Sequence, residues 1–126
     1  MKIFHFTRGF DGQVVTIEPQ DKPNRYSRRE FQTWGEPRSF WYTDPADRES
    51  MIGGNLYIAD VDEDKLLNFS DIALGDFRGK HGVDFDALKH HATSQGKIGF
   101  RYTVAGRDIV VLFEPLESRK VKMWNT

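Results

Sequence analysis

The chain has 126 residues, 38% of them hydrophobic and 29% charged, with a formal net charge of -1. That is enough apolar mass for one core and too much for a disordered chain, and the near-neutral balance excludes a general polyanion binder, leaving only a local patch for any nucleic-acid role. There is no cysteine, hence no disulfide framework, thiol nucleophile or cysteine metal site, and no apolar run approaches the ~20 residues that span a bilayer.

Residues 2–6 read as a strand, with Ile3, Phe4 and Phe6 around His5; a turn over 9–12 and a strand over 13–17 follow. The segment 18–38 is polar, with three prolines and no sustained periodicity. Ser27 with Glu30 predicts the cap of a short helix through Trp34. A loop of this length in a small domain points to a binding segment. "SFWYTD" (39–44) reads as a strand. Asp44 as N-cap and Pro45 at the first helical position predict a short helix over 45–52. Residues 55–62 alternate as a strand, 63–69 continue as a strand or extended piece, and 71–83 read as glycine-punctuated loop. Phe85, Leu88 and Ala92 predict a helix over 84–95 that Gly96 ends. Residues 97–113 predict a hairpin with a two-residue Gly106-Arg107 turn. That register pairs Val104 with Ile109, Tyr102 with Val111 and Phe100 with Phe113, and leaves Asp108 on the face of Arg101 and Thr103. Short strands with one or two short helices make the fold class α+β, in a single domain over 1–126. The lack of cysteine, and a first apolar run broken by His5 and Arg8 unlike a secretory leader, give cytoplasmic location and no membrane partner as expectations.

Most chemical motifs are missing. His90 and His91 are helix neighbours pointing about 100° apart, and no set of three or four converging ligands is visible, so no metal is expected. The acidic run 60–64 lacks the glycine and distal glutamate of a calcium loop. There is no G-x-S-x-G and no glycine-rich phosphate loop. Arg25, Tyr26, Arg28, Arg29, Trp34 and Arg38 form a basic, aromatic segment, suited either to a phosphate-bearing partner or to an ordinary solvated loop. The more specific feature is a histidine within the first apolar strand, with Thr7 and Arg8 behind it.

Three segments together resemble the ADP-ribosyltransferase fold, in the branch with poly(ADP-ribose) polymerases and diphtheria toxin: "FHFT" (4–7), "SFWYTDPADRESM" (39–51) and "GFRYTVAGRDIVVLFEP" (99–115). The resemblance implies a small split antiparallel sheet with an NAD cleft. It implies that His5 donates a hydrogen bond to the nicotinamide ribose. The main chain at Phe6 would hold the carboxamide, Thr7 would support it, and Arg8 would pair with the pyrophosphate. Trp41 and Tyr42 would wall the pocket. Asp108, where the family usually has Glu, would stabilise positive charge on the ribose as nicotinamide leaves. Glu114 is an acidic alternative further along the strand. The helix after "FWYTD" lacks the family's stacking tyrosine and offers Glu49 instead.

The expected function is therefore an NAD-dependent ADP-ribosyltransferase, with NAD as substrate and a macromolecular acceptor, protein or nucleic acid. The alternatives are a non-catalytic nucleotide- or protein-binding module on the same fold, RNA-end chemistry using the basic segment, and a small interaction protein in which His5 only fills the core.

Overall fold

The structure is a computed structural model that describes residues 1–7, 10–20, 33–34, 37–45, 54–68, 74–79, 82–104 and 106–121. The expected helices ending at Trp34 and spanning 45–52 lie largely outside these residues, as do Arg8, Arg25, Tyr26, Arg28, Arg29 and Glu49. Where the first expected helix would end, Thr33–Trp34 is instead a strand.

The described strands are β1 (Lys2–Thr7), β2 (Val14–Ile17), β3 (Thr33–Trp34), β4 (Ser39–Tyr42), β5 (Asn55–Asp60), β6 (Leu66–Asn68), β7 (Arg78–Gly79), β8 (Gly82–Asp84), β9 (Gly99–Val104), β10 (Arg107–Leu112) and β11 (Leu116–Lys120). The helix α1 spans Phe85–Ser94. Eight strands form one sheet in the order β2-β11-β5-β1-β4-β10-β9-β6, and β3-β8-β7 form a small second sheet. The architecture is α+β, as expected, but the sheet is mixed: β6 runs parallel to β9. Part of the expected 71–83 loop is also structured, as a 3-10 turn at Leu74–Phe77 followed by β7 and β8.

The helix follows from local sequence. The Asp84 carboxylate accepts from the Ala87 amide at 3.1 Å, which caps the first turn. Phe85, Leu88 and Ala92 are buried on one side. Gly96, at φ 73°, takes the left-handed conformation that ends the helix. That buried side covers one face of β4, β10 and β9, where Phe100, Tyr102, Ile109 and Val111 join it in a cluster with Phe113 and Leu67. Phe85 lies at its centre, 6.2 Å from Phe100 and 6.1 Å from Phe113 between ring centroids. Arg38 is not part of a solvated basic surface. It is buried, with its guanidinium carbon 4.8 Å above the Phe85 ring. The opposite face of the sheet carries a second cluster, drawn from β1, β2, β4, β5, β6 and β10 and including Ile3, Ile17, Trp41, Ala59, Leu66, Val110 and Leu112.

The hairpin differs from expectation in register. Arg107 pairs with Val104, Ile109 with Tyr102 and Val111 with Phe100. Gly106, at φ 77°, therefore comes directly before β10 rather than opening a Gly106-Arg107 turn. The slip is two residues. Side chains alternate with period two, so every one keeps its expected face and Asp108 still lies with Arg101 and Thr103. Among the described residues no helix is long and apolar enough to cross a membrane.

Candidate functional site

The site is built around His5, beside the short ladder between β1 and β4. Met1 and Val61 exchange both main-chain bonds, N to O at 2.9 and 3.1 Å. Pairing alternates in an antiparallel ladder, so Ile3, His5 and Thr7 direct their main chain at β5, and Phe4 and Phe6 direct theirs at β4. Phe4 pairs with Tyr42 on β4. In the same register Phe6 would next meet Phe40, but the ladder between β1 and β4 stops at Phe4. The Phe40 carbonyl is taken up instead by the imidazole of His5, whose Nδ1 lies 2.8 Å away. His5 thus bridges β1 to β4 just beyond the end of their ladder.

That hydrogen bond decides the chemistry of the ring. A carbonyl only accepts, so Nδ1 carries the proton and donates. Burial lowers the pKa of His5 from its ordinary value, against a smaller upward pull from the Phe40 carbonyl, which favours the neutral ring. Nε2 of a neutral, Nδ1-protonated imidazole is an acceptor. The ring's free-standing chemistry is therefore that of an acceptor at Nε2, where the resemblance expects a donor.

Around His5 the sheet face holds Thr7 on the same strand, Tyr57 and Asn55 as their partners on β5, and Trp41 on β4. The Trp41 ring lies 5.3 Å from the His5 ring, fully buried, and its Nε1 donates to Ser39 Oγ at 2.8 Å. Trp41 therefore backs the imidazole. Tyr42 does not share this site. It is one residue on in the strand, on the opposite face, packed against the cluster under α1. The expectation that Trp41 and Tyr42 wall one pocket fails on strand alternation.

Asp108 shares the His5 face but not its surroundings. It lies on β10, two strands from β1 and two positions along, about 12 Å away for a flat sheet. Both of its carboxylate oxygens are 3.0 Å from Arg101 Nε, and Oδ2 is 2.5 Å from Arg101 Nη2. Arg101 Nη1 also donates to Glu63 at 2.6 Å. Asp108, followed by Glu63, holds the Arg101 pKa above its usual value. The acid thus stands with a matched cation. Glu114 is exposed in the bend after β10.

Sequence reasoning missed Arg101, Glu63, Tyr57 and Asn55. The shared face of Arg101 and Asp108 was visible in the hairpin alternation, but the others depend on pairing between distant segments. Among the described residues no three histidine or carboxylate side chains converge as a metal would require. No family model, curated protein or solved structure matches the chain.

Proposed function

We propose that the protein is an NAD-dependent ADP-ribosyltransferase whose dinucleotide enters beside His5. The observation that carries this reading is His5. It is fixed by the Phe40 carbonyl just beyond the end of the ladder between β1 and β4, with an Nε2 acceptor for a ribose hydroxyl. The resemblance puts the carboxamide at the main chain of Phe6, the next residue of β1. In the reaction the bond between the ribose carbon and the nicotinamide nitrogen breaks, and nicotinamide leaves with the electron pair. A hydroxyl or amine of the acceptor then bonds to that carbon and gives its proton to solvent. Asp108 would oppose the positive charge that develops on the ribose.

A second reading, recognition of the dinucleotide without turnover, is favoured by the two-point hold of Arg101 on Asp108, which leaves the carboxylate neutralised. One experiment separates the two. Purified protein is incubated with NAD, with and without cell lysate, and free nicotinamide is followed by chromatography beside His5→Ala and Asp108→Ala. Release lost in both variants supports the transferase. A rise in Tm with NAD that His5→Ala abolishes, without any release, supports recognition alone. Neither release nor a Tm shift sinks both readings and leaves His5 a core residue.

A further inference from the structure

β2 lies at one end of the large sheet, where β11 is its partner among the described strands. The phase of that ladder is fixed. The Lys120 amide donates to the Gln13 carbonyl at 2.8 Å, so Gln13, Val15 and Ile17 turn their main chain toward β11. On the far side of β11 the Val121 amide donates to the Leu56 carbonyl at 2.8 Å, in the same alternation. Val14 and Thr16 therefore turn their amides and carbonyls outward, along an edge that no described strand covers. Sheet edges are commonly blunted by charge, by proline or by shortness. The opposite end of the sheet is short, with β6 at three residues. The β2 edge has none of these guards: Gln13–Ile17 is uncharged and without proline, and Val14 is 56% exposed.

Two features say what fits this edge. The first is its symmetry. The outward groups belong to Val14 and Thr16 and are centred on Val15. An antiparallel copy of β2, set with Val14 opposite Thr16 across a twofold axis, meets every one of them. A shift of two residues either way puts Thr16 opposite Gly12 or Val14 opposite Glu18, beyond the strand. The second is charge. Exposed Arg119 stands beside Val14 and exposed Glu117 beside Thr16, on one face of the sheet. In the centred register each row across the junction runs from Arg119 of one copy to Glu117 of the other. The shifted registers set Arg119 against Arg119, or Glu117 against Glu117. The ends of a row are three strand spacings apart, about 14 Å at the main chain, so the attraction between these long side chains is modest but selects the register.

We propose that the outer edge of β2 pairs with β2 of a second copy, antiparallel about a twofold axis at Val15, so that two eight-strand sheets join into one. The contact is short, and Asp11 of one copy comes near Glu18 of the other, so it belongs to the weak, transient class of interfaces.

The test is sedimentation equilibrium of the full chain from about 10 µM to about 1 mM, the range in which weak interfaces form. Thr16→Pro removes an outward donor and leaves the β11 ladder intact, because the Thr16 amide is not part of it. Val14→Lys places a charge on the edge, and Thr93→Lys places one on the exposed side of α1 as a control. The wild type is expected to dimerise, with Val14→Lys and Thr16→Pro each weakening association by at least about tenfold and Thr93→Lys leaving it unchanged. Urea unfolding checks that each variant folds; should Thr16→Pro fail, Val14→Lys, at an exposed position, carries the comparison. The chain has no cysteine, so single cysteines report the register. Val14→Cys mixed with Thr16→Cys and oxidised should give mainly the mixed disulfide, because like positions lie about 7–8 Å apart on the diagonal, too far to bridge. A wild type that is monomeric throughout overturns the inference and leaves the edge to a strand of another protein. Self-association that neither substitution weakens, or a random ratio of mixed to like-position disulfides, overturns it as well.

Discussion

Replacing His5 with Asn keeps an amide N–H near the position of Nδ1, and so the bond to the Phe40 carbonyl, while removing the titrating ring. The consequence is a change in how stability depends on pH. Burial lowers the folded-state pKa of His5 below the ordinary histidine value of 6.5. As pH falls, the unfolded chain takes up a proton that the folded chain refuses. The stability that His5 contributes is therefore complete above about pH 6.5, is lost as pH falls from there toward the lowered folded value, and is level below it. The upper limit of the effect, for a ring that stays neutral throughout, is about 1.4 kcal/mol between pH 7.5 and 5.5. With an m value of roughly 1–2 kcal/mol/M, the urea midpoint of the wild type should fall by up to about 1 M more than that of His5→Asn over this range. Nitrogen NMR of the imidazole supplies the direct check: a titration midpoint below that of a free imidazole, with Nδ1 the protonated nitrogen of the neutral ring. Parallel loss of stability in both proteins, or a midpoint at or above that of a free imidazole, would refute the argument and with it the acceptor role given to Nε2.

Glycine substitutions should separate crowding from backbone strain. A Cβ at Gly99 would run into the Val111 carbonyl and come within 3.1 Å of Leu112 Cα, so Gly99→Ala should cost several kcal/mol or prevent folding, read by urea unfolding. Gly106, at φ 77°, has nothing within 4 Å of a built Cβ, so Gly106→Ala should cost only about 1 kcal/mol, from conformation alone. Asp108→Asn breaks the ion pair with Arg101 on a partly exposed face and should cost about 1 kcal/mol or less, shrinking in 1 M salt; a salt-independent loss of several kcal/mol would mean that the cluster is far drier than its exposure indicates. Tyr57→Phe removes the donor to the Gly12 carbonyl and should cost about 1 kcal/mol, with faster hydrogen exchange at residues 11–13 and little change in β9 and β10.

What was legible in the sequence had a local cause. The helix was readable because its cap, its apolar spacing and its terminating glycine all lie within Asp84–Gly96. The alternation of β9 and β10 was readable too, although not their register, because a slip of two residues leaves the face pattern unchanged. Strand β11 was not readable: Leu116 is its one apolar residue, and its buried Ser118 is satisfied by the Val15 carbonyl at 3.1 Å, from a strand far away in sequence. The parallel pairing of β6 with β9 has no local signal either, since nothing in "LLN" states its direction. The candidate site divides in the same way. A histidine in an apolar strand stands out by composition. The hold of Arg101 on Asp108 is local to one hairpin. Tyr57 and Asn55 reach the site only because β5 folds back beside β1, and no pattern within "NLYIAD" reports that. The shared pocket assigned to Trp41 and Tyr42 rested on resemblance, and the period of the strand overrode it.

The order of strands in the large sheet also sets a timetable for the nascent chain. β1 emerges first, yet both of its neighbours, β4 and β5, follow only after the 18–38 segment. β2 waits longer still, because among the described residues β11 is its strand partner in the sheet and the bond from Ser118 to Val15 spans 103 positions. Contacts of such separation close late and slowly. Until then Val14–Ile17 leaves the ribosome as a β-branched strand with nothing to pair with. It is therefore a strand with both edges unpaired, open to other chains, until residue 116 and those after it are made.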